Sequence, residues 1–249
     1  IDNIIAYKER QGEVPAEGDP DFFAFMGSDD AFLCFVVQED IKTFEDVRGK
    51  ILTVDALTTG FAFVLRRMLA LNNIAEDEIE WMSTGGVLQR WQEMMEHPEQ
   101  KGTLQVTPFE IMGASKGHHV LARTSDVLDA YQGIVGGARV AWAEKNADDL
   151  AGFIAGWLQS VNWVYELANR DAAVDIVLEN MPQMPRTVAE GALDVFFNEK
   201  TGMRRDGSFD IPGIQTVLDL RREFGTAPDD LHGPEHYIDT RYLEMAKGR

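Results

Sequence analysis

The sequence predicts an α/β protein built on a parallel sheet, and three strand–turn–helix units carry that expectation. KILTVD runs through ALTTG into FAFVLRRMLALNN, EIEWM through STGG into VLQRWQEMME, and TLQV through TP into FEIMGASKG. An apolar strand that feeds a helix through a short polar turn, repeated in tandem, is the pattern of parallel strands with crossover helices. In such sheets the helix N-termini collect at the carboxyl edge of the strands, where ligands bind. Each turn also carries hydroxyls, from Thr58 and Thr59, from Ser83 and Thr84, and from Thr107. Free backbone N–H groups at helix starts, with hydroxyls beside them, suit a small anion or polar ligand.

In chain order, IDNIIAYKER has helical character and leads into a Gly/Pro/acid loop, QGEVPAEGDPD. FFAFMGSDD and AFLCFVVQED read as strands, the second apolar enough to be covered on both faces. IKTFEDVRGK is a short polar helix or turn ahead of the three units, and His118 to Ala122 forms a fourth strand. From Ser125 onward the pattern reads as almost entirely helical. Asn146 is placed to cap a helix with Asp148 and Asp149 in its first turn. Leu150, Phe153, Ile154, Trp157, Leu158, Val161 and Val164 follow at 3–4 spacing, an amphipathic face. Further helices are expected at 171–180, 186–197 and 212–224, with a short final helix in the loop-rich tail after Pro228. No repeat of solenoid length and no low-complexity tract occurs.

A length of 249 residues suits one large domain or two lobes, and 45% hydrophobic content is enough for a core. Charge sets tighter bounds. Against 23 basic residues stand 42 acidic ones, a net −19. A nucleic-acid binder needs a basic footprint, which is missing, and an anionic membrane surface would repel the chain. Local positive potential still arises at helix N-termini without Lys or Arg. Cys34 is the single cysteine, so neither a disulfide framework nor a cysteine-rich metal site is expected. It lies in FLCFVV, where an unpaired Cys acts as a small apolar filler. No apolar run approaches the ~18 residues of a membrane span, and no direct membrane insertion is expected.

Among candidate site residues, the LTTGF turn at 57–61 stands first. Thr59 is placed to cap the following helix, and Thr58 and Gly60 allow close approach of a ligand oxygen. Ser83-Thr84-Gly85-Gly86 is a second such turn, without the spacing of a nucleotide-binding glycine motif. Phe61 and Phe109, each just after a turn, are positioned to cover a ligand, while the five tryptophans read as packing. His118 and His119 are adjacent and point to opposite faces of a strand. His232 and His236 lie in a Pro-containing loop and read as scattered surface groups, so no metal site and no cofactor are expected. Glu93, Glu96 and Glu99 form a solvated face, and Asp229 and Asp230 a loop feature. No G-x-S-x-G elbow is present, and no catalytic residue is assigned.

IDNIIAYKERQGE, FLCFVVQEDIKTFEDVRGKILTVDALTTGFAFVLRRML, GGVLQRW, TPFEIMGASKG and YQGIVGGAR together resemble the extracytoplasmic solute-binding proteins of ABC importers. Within that group the chain is most similar to the nitrate/sulfonate/taurine and thiamine-pyrimidine-precursor binding proteins, over essentially its whole length. The resemblance implies the type II periplasmic binding fold, two α/β lobes joined by two crossovers, with ligand in the cleft between them. It implies non-catalytic capture of a small organic anion or polar heterocycle, sulfonate-, carboxylate- or pyrimidine-like. The lobes would close by a hinge motion, and the closed form would dock on a membrane permease.

Carried over residue by residue, Thr58, Thr59, Gly60 and Phe61 match the family's ligand-facing turn of the second lobe. Thr84 with Gly85, and Thr107 with Phe109, match neighbouring edges of the same cleft. Asp2 and Asn3 match a segment facing it from the other side, and Gln132 follows the return crossover. Lobe two is expected at 39–122, and lobe one at 1–38 and 123–249. Family members carry a secretion signal and further strand–helix units before the segment matched by Asp2-Asn3. Lobe one is therefore expected to be incomplete, and residues 1–249 alone to self-associate. An alternative implied by the same resemblance is an enzyme of the thiamine-pyrimidine or menaquinone-precursor synthesis type. That reading requires a catalytic His, Lys or Cys at the cleft, where the turns offer hydroxyls. A sensory or scaffold module is a third reading, favoured by a fused signalling segment.

Overall fold

Apolar strands and amphipathic helices alternate in the computed structural model much as the sequence pattern orders them, over described residues 1–11, 20–226 and 231–249. Helix α1 (Asp2–Lys8) has Asp2 in its first turn and Lys8 in its last, each matched to the helix dipole. Strands β1 (Phe22–Gly27) and β2 (Leu33–Val37) are the two apolar stretches that follow. IKTFEDVRGK folds as a 3-10 turn, Phe44–Val47, in which Asp46 Oδ2 accepts from the Thr43 N–H at 2.8 Å. The three strand–turn–helix units become β3 (Ile51–Val54) with α2 (Gly60–Leu71), β4 (Glu80–Ser83) with α3 (Val87–Glu96), and β5 (Gln100–Val106) with α4 (Phe109–Ala114). Next come β6 (His119–Arg123), the single turn α5 (Thr124–Val127), β7 (Val135–Arg139) and α6 (Val140–Lys145). The chain closes with α7 (Ala147–Tyr165), α8 (Arg170–Asn180), α9 (Arg186–Phe196), α10 (Ile211–Phe224) and α11 (Arg241–Lys247).

The chain divides into two units. The first comprises Ile1–Ala31, Ala130–Leu218 and Ala227–Arg249, and the second comprises Phe32–Asp129 and Asp219–Thr226. The sequence-based boundaries were 39–122 against 1–38 and 123–249, so β2 falls within the second unit.

In the second unit a five-stranded sheet has the order β4-β3-β5-β2-β6. Strands β4, β3 and β5 are mutually parallel, as their helical connections require. The sheet as a whole is mixed: β2 is antiparallel to both β5 and β6. The fourth strand expected at 118–122 is β6, one residue later, and it reaches the sheet through β2 instead of joining the parallel set. All five residues of β2 are buried, which accounts for its unbroken apolar run. Cys34 is buried with Val36 against Met94, an apolar filler as expected.

The first unit contains a two-stranded antiparallel ribbon, β1 with β7, with a bulge between Ala24 and Met26. The expectation of an almost wholly helical chain after Ser125 is corrected here by β7. Gly-Gly reads as a turn, yet Gly136 serves close packing, since a Cβ there would fall 2.3 Å from Phe25 Cε2. Phe23, Phe25, Met26, Leu150, Ile154, Tyr242 and Leu243 form the core between the ribbon, α7 and α11. Ala173, Val174, Ala189 and Leu193 join α8 to α9 in a second cluster.

Helix α7 departs from expectation twice. Asn146 precedes it but makes no side-chain cap, because its Nδ2 donates back to the Trp142 carbonyl at 2.8 Å. Phe153 is 59% exposed, although its ring edge meets Phe25 at 6.4 Å. Of the tryptophans, Trp91 is buried, whereas Trp142 and Trp163 are exposed. Asp229 and Asp230 lie outside the described residues. Among the described residues no helix is long and apolar enough to cross a membrane.

Candidate ligand-binding edge of the second unit

Because β4, β3 and β5 run parallel in adjacent register, Val54 beside Ser83 and Thr53 beside Thr103, their carboxyl ends share one edge. The turns carrying Thr58, Thr84 and Thr107 leave from that edge. In the first turn Thr59 is the N-cap of α2, accepting from the Ala62 N–H at 3.4 Å. Its hydroxyl donates to Asp55 Oδ1 at 2.6 Å, so Thr59 is engaged on both counts. Thr58 is half-buried and Gly60 buried beside it.

The second turn is shaped by Gly85, whose φ of +84° favours glycine. A Cβ at Gly85 would also meet Gln89 Oε1 at 2.2 Å, and that oxygen accepts from the Gly86 N–H at 2.8 Å to close the start of α3. The Thr84 hydroxyl oxygen is buried without a hydrogen-bond partner. In the third turn Thr107 is buried and donates to Glu110 Oε1 at 2.7 Å, while Glu110 Oε2 has no partner. Phe109 packs on Trp91 at 5.7 Å between ring centroids.

Beneath these turns lies a residue that the sequence reading missed. Arg90 is 1% exposed and reaches from α3 under the edge. Its Nη1 donates to the Gly85 carbonyl at 2.8 Å and its Nη2 to the Leu104 carbonyl at 3.2 Å. Asp55 Oδ1 stands 3.9 Å from Nη1, and the Phe61 ring lies over the guanidinium at 5.0 Å. One side chain thus ties the second turn to the end of β5 and faces the first turn. Burial pulls the Arg90 pKa down, opposed by Asp55, but a guanidinium stays charged in a protein. The signal was present in α3, where Val87, Arg90, Trp91 and Met94 share the 3–4 spacing of its buried face.

Thr53 Oγ1, Gln105 Oε1 and Arg90 Nε are further buried polar atoms without partners near β3 and β5. Buried polar groups are ordinarily paired, so the concentration of unpaired ones under this edge sets it apart. A buried cation, two helix N-termini and hydroxyls favour an acceptor-rich ligand, and the Asp55 and Glu110 carboxylates at the same edge offset part of that positive potential. Cys34 offers no nucleophile, for burial first and Glu110 second push its thiol up to about 12. His118 is also buried, edge-on to Trp91 at 6.1 Å, and burial lowers its pKa.

The remaining expected residues belong to the first unit. Asp2 is half-buried and Asn3 exposed, both in the first turn of α1. Gln132 is 0% exposed and its amide is used internally. Nε2 donates to the carbonyls of Asp29 at 3.1 Å and Ile134 at 3.2 Å, and Oε1 accepts from the Asp210 N–H at 2.8 Å. It holds the 131–134 segment to the end of β1 and the start of α10. His232 and His236, expected as scattered surface groups, are instead stacked, with ring centroids 4.1 Å apart.

No protein-family model matches the sequence, and no curated protein sequence matches it. Solved structures do match in fold. The alkanesulfonate-binding protein SsuA from Xanthomonas axonopodis pv. citri, bound to MOPS, aligns with TM-score 0.71 at 13% identity, over 95% of this chain and 77% of that one. The periplasmic nitrate-binding protein NrtA from Synechocystis PCC 6803 aligns with TM-score 0.74 at 10% identity, over 99% and 71%. The desulfurization enzyme DSZB aligns with TM-score 0.60 at 12% identity, over 99% and 84%. At these identities the likeness is one of fold. The chain has an α/β fold in two units that resembles the architecture of the type II periplasmic binding proteins.

Proposed function

We propose that this chain is the extracytoplasmic solute-binding component of an ABC importer, of the nitrate/sulfonate/taurine and thiamine-pyrimidine-precursor kind. Its ligand is a small organic anion or polar heterocycle, sulfonate-, carboxylate- or pyrimidine-like, and its partner a membrane permease. The observation that carries this reading is Arg90, a buried charge set under hydroxyl-bearing turns at a parallel-sheet edge. Thr58, Thr59, Gly60, Phe61, Thr84, Gly85, Thr107 and Phe109 are the proposed contacts there. Within the first unit, considered by itself, Asp2 and Asn3 at the start of α1 are proposed ligand-binding residues, and Gln132 acts by holding its own segment. The fold likeness to an alkanesulfonate-binding and a nitrate-binding protein supports the ligand class.

An enzyme on the same fold is the second reading, favoured by the likeness to a desulfurization enzyme over 99% of this chain. A thermal-shift screen of sulfonates, carboxylates and pyrimidines separates the two. A true ligand at 100 times its Kd stabilises the protein by about 2.7 kcal/mol. The expected hit is recovered unchanged by mass spectrometry and loses affinity in Thr84→Val. A hit converted into product would replace the binding role with the enzymatic one. Absence of any hit among the three classes would overturn the proposed ligand chemistry.

A further inference from the structure

A different cluster of metal-ligating groups lies in the first unit, at the end of α1. Glu9, the C-cap of α1, turns its carboxylate toward a one-turn 3-10 helix, Pro234–His236. Its Oε1 lies 3.2 Å from His232 Nδ1 and 4.0 Å from His236 Nε2. The two imidazoles stack at 4.1 Å with 16° between their planes. One ligand atom from each of the three residues lies within 4.8 Å of the other two. Zinc bonds to imidazole nitrogen and carboxylate oxygen run about 2.0–2.2 Å, which sets tetrahedral ligand atoms about 3.3–3.6 Å apart. The two distances to Glu9 straddle that spacing.

The framework around these groups is fixed. Tyr237 is fully buried and its hydroxyl donates to Glu9 Oε1 at 2.7 Å, orienting the carboxylate from behind. The same hydroxyl accepts from the His232 N–H at 3.0 Å. The backbone of this segment is zipped onto β1, with the Ala24 N–H donating to the Tyr237 carbonyl at 2.9 Å and the Asp239 N–H to the Ala24 carbonyl at 2.8 Å. Outer partners of this kind hold first ligands in place in metal sites. The Glu9 side chain is 9% exposed while those of His232 and His236 are 57% and 42% exposed, which gives an ion a path from solvent.

We propose that Glu9, His232 and His236 form a binding site for a first-row divalent cation of the zinc type. Two imidazole nitrogens with a single carboxylate select such ions over Mg2+ or Ca2+, which demand oxygen ligands. The fourth position faces solvent. Bound there, the ion ties α1 to a segment 223 residues away in sequence.

The test is titration of the EDTA-stripped, desalted chain with Zn2+ alone, followed by calorimetry and by metal content after gel filtration. One equivalent of Zn2+ is expected, with a Tm that climbs with Zn2+ concentration. His232→Ala and His236→Ala each weaken binding by at least tenfold, the loss that even outer partners of a metal site produce. Both histidines are exposed, so these variants should keep the parent circular dichroism. If they unfold, Co2+ substitution of the unaltered chain decides, through the visible absorption of a tetrahedral nitrogen-ligated complex. Absence of stoichiometric Zn2+, affinity unchanged in both variants, equal competition by Mg2+, or no tetrahedral Co2+ spectrum would each overturn the site.

Discussion

Single side chains decide the chemistry at the sheet edge, and Arg90 decides most. Replacing it with Met strands the Gly85 and Leu104 carbonyls and leaves Asp55 without its cation. A cost of about 3–5 kcal/mol in urea unfolding is expected for Arg90→Met, the range for breaking a buried charged network. Arg90→Lys should fall between, since an ammonium keeps the charge but cannot fork to two carbonyls. Thr59→Ala removes the N-cap of α2 and should cost about 1 kcal/mol, largely restored in Thr59→Ser. Equal stability of the three Thr59 forms would show that the cap contributes nothing.

Asp29 provides a prediction in pH. It is buried, and its Oδ1 accepts from the N–H groups of Ala31 at 2.7 Å and Ile134 at 3.3 Å. Burial raises its pKa despite these donors, and Asp30 adds to the rise. A carboxyl whose folded pKa exceeds its unfolded value costs stability where both states are ionised. That cost fades as pH falls through the folded pKa and vanishes below the unfolded one. Asp29→Asn keeps the acceptor oxygen without the charge. It should therefore be more stable than the parent at about pH 7, with the gap closing toward about pH 3, below the ordinary unfolded Asp pKa of about 3.9. Urea melts at several pH values check this, and a gap that widens on acidification would contradict it.

Among the elements, β2 has the strongest claim on stability. It is hydrogen-bonded on both sides and every residue is buried. Phe35 is fully buried against Phe44 at 5.9 Å, and Gly102 leaves room for it, since a Cβ there would fall 2.7 Å from Phe35 Cε2. Phe35→Ala should cost about 3–5 kcal/mol, read from the urea midpoint. The parallel set β3, β4, β5 was readable beforehand because strand, polar turn and helix differ in period and composition. The antiparallel place of β2 was not, because a strand covered on both faces carries no sign of its direction. β7 was hidden since its glycines admit the Phe25 ring yet read as a turn. The turns that carry Thr58, Thr84 and Thr107 were legible because turn chemistry is local. Arg90 sits on the periodic buried face of α3, a local signal that its charge masks, whereas the Glu9–His232–His236 cluster needed proximity across 223 residues, which neighbouring sequence does not encode.

Taken as one body of charge, the chain carries −19. Self-repulsion of that size opposes the folded state and is screened over about 10 Å at 0.1 M salt. Tm should rise as NaCl is raised from about 10 to about 150 mM. A fall would mean that surface ion pairs such as Lys101 with Asp40 outweigh the repulsion. The same field makes a buried guanidinium valuable to any anion approaching the sheet edge.

The division of the chain into segments has a consequence for biosynthesis. All but eight residues of the second unit emerge from the ribosome as one uninterrupted stretch, Phe32–Asp129, whereas the first unit is assembled from three separated pieces. At translation rates of about 5–20 residues per second, the roughly 120 residues from 130 to 249 take roughly 6–24 s to appear. The sheet and its hydroxyl-bearing turns are therefore complete in sequence, but for Asp219–Thr226, seconds before the first unit is. The β1–β7 ribbon must meanwhile hold an unpaired β1 until Val135–Arg139 arrives. A chaperone engaging the nascent chain in that interval would be shielding Phe22–Gly27, and synonymous codons that slow translation between residues 100 and 135 would lengthen its task.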